Sequence, residues 1–205
     1  MGQNNASKFR IVVLASGNGT NAERIMTYFA DSDLAEVILV LTNNQDAGVL
    51  PRAAKAGVNA LVLSKNIYND GELFTEFLEA ADPDLIILAG YLKLIPAKVV
   101  NRYSRSIVNI HPSLLPKYGG KGMYGGRVHE AVIANQDTES GITIHYVNEV
   151  YDEGEVILQA KLKVQPGWGP KDLAGAIHQL EYQHFPVVIE QILQERTVST
   201  PLQNQ

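Results

Sequence analysis

Five short apolar runs, RIVVLA (10–15), EVILVLT (36–42), NALVL (59–63), DLIILAG (84–90) and SIVNI (106–110), punctuate the first half of the chain. None alternates apolar with polar residues, as a strand with one wet face would. Continuous apolarity in runs this short suits strands covered on both faces, the usual condition of a parallel sheet. Between the runs lie segments with helical signals: TNAERIMTYFAD, GVLPRAAKAG with its terminal Gly57, GELFTEFLEAA ahead of Asp82-Pro83, and IPAKVVNRY. Alternating strand and helix predicts an α/β fold with a Rossmann-like, doubly wound, mostly parallel sheet.

The pattern changes after Asn109. A Gly-rich loop and the helix-like RVHEAVIAN precede GITIHYVN and EVILQAKLKV, a spacing that predicts a C-terminal antiparallel strand pair on the edge of the sheet. A closing helix is expected from Pro170 to about Arg196, its apolar face formed by Leu173, Ile177, Leu180, Val188, Ile189 and Ile192, with a kink at Pro186. The chain reads as one domain, 1–205, with a core from about 10 to 196 and frayed tails, MGQNNASK and VSTPLQNQ.

Charge and residue usage narrow the chemistry. A formal net charge of −5 gives no broad attraction to nucleic acid or an anionic membrane, so small-molecule substrates are favoured. With no cysteine, thiolate catalysis and thiolate-bound zinc are excluded, and no His-rich ligand spacing suggests another metal. MGQNNASK lacks the apolar core of a signal peptide, which makes a cytoplasmic location the expectation. Both a monomer and a homodimer are compatible with the sequence.

The loop ASGNGTN joins the first strand to the first helix. Gly17 and Gly19 let a ligand approach the backbone, and the amides opening the helix at Thr20 and Asn21 suit a phosphate. Gly17-x-Gly19-x-x-Ala22 also fits a dinucleotide fingerprint, but the second strand ends in Thr42, Asn43 and Asn44 instead of the acid such a site requires.

The fifth strand ends in NIHPSLLPKYGG. Asn109 and His111 lie two apart and leave the strand on one side, at the carboxyl edge where open α/β sheets bind ligands. An amide and an imidazole side by side can stabilise a developing oxyanion, although the same residues also make an ordinary strand ending. A carboxylate beside His111 would raise its pKa. Asp152 in EVYDEG is a candidate, but Glu149, Glu153 and Glu155 crowd the same loop and spacing does not choose among them. Ser113 lacks a nucleophile elbow, and His145 reads as a packed histidine behind the site. The sharp turn at Leu115-Pro116 favours a cis bond.

IVVLASGNGTN, LAGYLKLIP, NIHPSLLPKYGG and DEGEVILQA, in that order, resemble the glycinamide ribonucleotide formyltransferases, the folate-dependent transformylases of purine biosynthesis. The likeness runs from about Arg10 to Glu195. It implies transfer of the formyl group of 10-formyltetrahydrofolate, as co-substrate and without a metal, to the amine of phosphoribosylglycinamide. It further implies that Gly19, Thr20 and Asn21 hold the ribonucleotide phosphate and that Glu181 meets its glycinamide end. Leu92, Lys93, Leu94 and Ile95 would wall the pteridine pocket, Glu149, Val150, Tyr151 and Asp152 would bind the pterin edge, and Asn109, His111 and Asp152 would form the catalytic trio. KYGGKGMYGGRVHEAV is longer and richer in glycine than the family pattern. Gly71 stands near where some relatives place an arginine toward the folate tail, leaving Lys65 or another base for that contact.

Related chemistries are less well matched. Formyltetrahydrofolate hydrolases carry a further domain before the first strand and methionyl-tRNA formyltransferases a basic domain after the last helix, neither expected here. A non-catalytic nucleotide-binding module would not need Asn109, His111 and Asp152 together.

Overall fold

The computed structural model describes residues 7–199, and the expected fraying of the tails falls mostly on residues outside that range. The elements in chain order are β1 (Phe9–Leu14), α1 (Thr20–Phe29), β2 (Ala35–Thr42), α2 (Val49–Lys55), β3 (Ala60–Val62), α3 (Lys65–Asn69), α4 (Gly71–Ala81), β4 (Leu85–Leu88), α5 (Ala97–Arg102), β5 (Ile107–His111), α6 (Gly126–Ala134), β6 (Glu139–Tyr146), β7 (Val156–Lys163) and α7 (Pro170–Ser199). The strands form one seven-stranded sheet in the order β3-β2-β1-β4-β5-β6-β7. The pairs among β1 to β5 are parallel, while β6 and β7 add an antiparallel edge. The expected mostly parallel fold with a C-terminal antiparallel pair is therefore observed.

The continuous apolar runs have a direct physical cause. Ile11, Val13 and Ala15 pack on one face with Ile25 and Phe29 of α1 and Ile177, Phe185 and Ile189 of α7. Val12 and Leu14 pack on the other with Phe74 and Leu78 of α4 and Val99 of α5. Each such burial contributes about 1.5–3 kcal/mol, so neither face of β1 tolerates a polar residue.

Two details differ from expectation. α3 is an extra helix; it spans five residues with none buried, so it carries no apolar period to detect. α7, the expected closing helix with Pro186 inside it, runs on to Ser199 instead of ending near Arg196. Phe185, Val188, Ile189 and Ile192, all buried, anchor it on both sides of the proline.

Chain connections from β1 and β4 leave the sheet in opposite directions, which opens a crevice at the carboxyl edge between them. Everything described next surrounds that crevice.

Candidate active site

A cleft of about 720 Å³ lies over the carboxyl ends of β1, β4 and β5. Gly19, Thr20 and Asn21 line one end of it and Leu92 to Ile95 line a wall. Asn109, His111, Val150, Tyr151, Asp152 and Glu181 line it as well, whereas Glu149 does not.

At the α1 end, Gly19 has φ 75°, and a Cβ there would sit 2.5 Å from that of Val49, so only glycine fits the turn. No side chain caps α1, which leaves its opening amides available to a guest anion. Arg52 fixes this loop: its Nε donates to the Asn18 carbonyl at 2.8 Å and its guanidinium pairs with Glu23, offsetting the acid in the first turn of α1. Asn21 Nδ2 donates to Glu181 Oε2 at 2.9 Å, tying α1 to α7. Burial raises the Glu181 carboxyl, opposed by Asn21 and by His178. A buried acid facing a cleft, with no salt bridge among the described residues, suits an amine.

At the end of β5, His111 Nδ1 lies 3.5 Å from Asp152 Oδ2, and Asn109 Nδ2 lies 3.5 Å from Asp152 Oδ1. Asp152 is the acid that faces the histidine. Glu149 instead accepts from Asn101 at 3.0 Å, and Glu155 pairs with Arg105. Asp152 holds φ 58°, a strained conformation costing about 1–3 kcal/mol. The Gly120 N–H donates to its Oδ2 at 2.9 Å and helps keep it there.

Only 5% of the His111 side chain and 11% of the Asp152 side chain are exposed, and this decides their charges. Burial lowers the His111 pKa and outweighs both Asp152 and the Tyr118 carbonyl, which raise it; His145 lowers it further. The expected upward shift is thus reversed in the free protein, because the carboxylate does not repay the desolvation of an imidazolium. Burial also pushes Asp152 up, but the neighbouring His145 and His111 rings and the Gly120 N–H hold it below the ordinary carboxylate value. The pair is a neutral imidazole beside an ionised acid.

The wall after β4 suits a flat ring system. Leu92 and Leu94 keep 47% and 45% of their surface exposed, with Val150 at 52%, while Ile95 is buried. The Tyr91 hydroxyl is buried without a partner, and burial raises its pKa so that it stays protonated. Apolar surface with a sparse polar handle is what a pterin-like ligand needs. Lys65 begins α3 and does not line the cleft; the bases that do are Lys93, Lys121 and Arg127. Ser113 donates to the Lys117 carbonyl at 2.5 Å, which confirms its structural role, and Leu115-Pro116 is cis as expected.

Three further histidines line the cleft, of which the sequence read only His145, as a packed histidine behind the site. His145 opposes Asn109 in the β5–β6 pairing. It donates Nδ1–H to the Tyr146 carbonyl at 2.9 Å and so offers its Nε2 lone pair to Asn109 Nδ2 at 3.1 Å. Pairing Asn109 with the strand opposite would have found this contact. His129 and His178 reach the cleft from α6 and α7, and no motif marks them. Among the described residues no group of three or more His, Asp, Glu or Cys could hold a metal ion, and no helix is long and apolar enough to cross a membrane.

The family model described as formyl transferase matches residues 9–189. A phosphoribosylglycinamide formyltransferase from Haemophilus influenzae is 38% identical over 186 residues, covering 88% of this chain and 85% of the relative. The chloroplastic phosphoribosylglycinamide formyltransferase of Arabidopsis thaliana is 37% identical over 193 residues, covering 91% of this chain, which spans 66% of that longer protein. The crystal structure of glycinamide ribonucleotide transformylase 1 from Symbiobacterium toebii superposes with a TM-score of 0.84 at 32% identity, covering 95% of this chain and 91% of the other. The chain belongs to the formyl transferase family, among the phosphoribosylglycinamide formyltransferases.

Proposed function

We propose that the protein transfers the formyl group of 10-formyltetrahydrofolate to the amine of 5-phosphoribosylglycinamide, giving N-formylglycinamide ribonucleotide and tetrahydrofolate in purine biosynthesis. The observation that carries this reading is the meeting of Asn109, His111 and Asp152 between an open helix N-terminus and an apolar wall. One end of the cleft suits a phosphate and an amine, the other a flat heterocycle, and the trio lies where the two ligands would meet.

In the reaction a bond forms between the amine nitrogen and the formyl carbon, the bond from that carbon to N10 breaks, and a proton passes from the amine to N10. Asn109 donates a hydrogen bond to the charge that builds on the formyl oxygen, and the His111 imidazolium, once formed, stabilises that charge electrostatically. His111, neutral at the start, takes up the amine proton as that charge develops and returns it to the leaving nitrogen. Asp152 stabilises the transient imidazolium. Gly19, Thr20 and Asn21 hold the phosphate, Glu181 holds the amine, and Leu92, Lys93, Leu94, Ile95 and residues 150–152 hold the folate. Orientation of two ligands supplies much of the acceleration.

A net charge of −5 supports small-molecule partners in place of nucleic acid or an anionic membrane, and the reading includes a cytoplasmic enzyme acting as a monomer or homodimer. The test is formyl transfer from a 10-formylfolate to phosphoribosylglycinamide beside a control without the amine. Amine-dependent turnover that His111→Ala lowers by orders of magnitude is expected. Equal turnover without the amine would point to hydrolysis and overturn the reading.

A further inference from the structure

His129 has no task in the mechanism above, yet its ring is 3% exposed and lines the cleft. Its Nδ1 is buried with no hydrogen-bond partner. Among the described residues Nε2 has no protein partner either, but it is not among the buried unpartnered atoms, so it is the nitrogen with access to the cleft. A buried N–H without an acceptor is rarer than a buried lone pair without a donor, which puts the proton on Nε2. α6 packs against α7, and His129 interacts electrostatically with both His178 and His111. His178 lies one helical turn before Glu181. His129 therefore stands between the amine-binding end and the reacting centre.

We propose that His129 binds substrate, its Nε2–H donating to the carbonyl oxygen of the glycinamide arm as that arm runs from Asn21 and Glu181 toward His111. This rests on the ribonucleotide reading of the preceding subsection. Of the groups on the arm, the carbonyl is the one that only accepts. Asn21 and Glu181 present acceptors to the amine, so a donor is the element that end of the cleft otherwise lacks. A purely structural histidine would spend its nitrogens on the protein, and this one does not.

The test compares the wild type with His129→Phe, which keeps the ring shape without nitrogens, and His129→Gln, which returns an N–H near the Nε2 position. Calorimetric titration with phosphoribosylglycinamide should show roughly a three- to tenfold rise in Kd for His129→Phe, the worth of one hydrogen bond, with most of it regained in His129→Gln. Affinity for a folate analogue should not change, and the Tm of free His129→Phe should equal or exceed that of the wild type, because an unsatisfied polar atom has been removed. An unchanged ribonucleotide Kd in His129→Phe overturns the proposal. So does a lowered Tm with both ligands weakened alike in both variants, the signature of a scaffold residue. A wild type that binds no ribonucleotide would remove the functional reading itself; a wild type that binds it no better than His129→Phe removes this inference alone.

Discussion

His129 also makes the fold sensitive to acid by an amount that can be worked out. Burial, first, and then the nearby His178 and His111 push its pKa from 6.5 down to about 4. The unfolded chain therefore takes up this proton before the folded one. Stability contributed by the neutral ring is complete above pH 6.5, falls as the pH drops below it, and is lost below about 4. A gap of about 2.5 pH units at about 1.36 kcal/mol each amounts to about 3 kcal/mol, of which about 2 kcal/mol disappears between about pH 7 and pH 5. For a urea dependence of about 2 kcal/mol/M, the wild-type midpoint should fall by about 1 M across that interval from this group. His129→Phe removes the contribution. Other groups also titrate: His111, itself lowered by burial, acts in the same sense, and Glu181, raised by burial, acts in the opposite sense. Both are present in the variant, so the difference between the two proteins at the two pH values isolates His129. Urea titrations followed by intrinsic fluorescence at pH 7 and pH 5 measure it. If the wild type and His129→Phe lose the same stability, the ring is either charged or hydrated in the folded state, and the burial reasoning fails.

Three further outcomes follow from the site. Asp152→Asn removes the largest influence that favours charge on His111, so the pKa assigned to His111 in the pH profile of kcat/KM should move to lower pH and the rate should fall; an unmoved profile would detach the two residues. In Gly154→Ala the new Cβ would lie 1.6 Å from the Tyr146 carbonyl oxygen, so the turn carrying Asp152 must open. A stability loss of about 1–3 kcal/mol by denaturation is expected, with kcat reduced by about a hundredfold from a displacement near 1 Å, and wild-type values for both would refute the contact. Tyr91→Phe deletes a buried hydroxyl without a partner and should leave Tm level or higher, while a clear fall in Tm would mean that the hydroxyl is satisfied.

The sheet was legible in the sequence because β1, β2, β4 and β5 are largely buried on both faces and α1, α2, α4 and α5 each have one apolar face, while β3, an edge strand with Leu61 and Val62 exposed, was marked only by its short apolar run. α3 was not, because a five-residue helix with no buried residue leaves no periodic trace. Asn109 and His111 could be placed from their spacing at a strand end. Asp152 could not be separated from Glu149 and Glu155 without knowing that those two acids turn to Asn101 and Arg105. The direction of the His111 shift was beyond the sequence for a similar reason. A neighbouring acid can be read from a motif, whereas desolvation depends on everything packed around the ring, including Tyr118, His145 and the loop through Gly120.

That burial gives the site a use for the geometry it already has. His111 Nε2–H donates to the Tyr118 carbonyl at 2.8 Å, and Nδ1 faces Asp152 Oδ2 at 3.5 Å. Two acceptors surround a ring that, when neutral, has one proton to give. The surroundings are therefore arranged for an imidazolium, and desolvation, aided by His145, keeps the ring uncharged. An ion pair formed in advance would leave His111 unable to accept the proton that the attacking amine must lose. A neutral ring held between two acceptors can accept it, and negative charge growing on the formyl oxygen shifts the balance toward the imidazolium at the moment it is needed. Asp152 thus acts on the transition state more than on the resting enzyme, which accounts for an ionised carboxylate kept in a strained backbone conformation beside a histidine it does not charge.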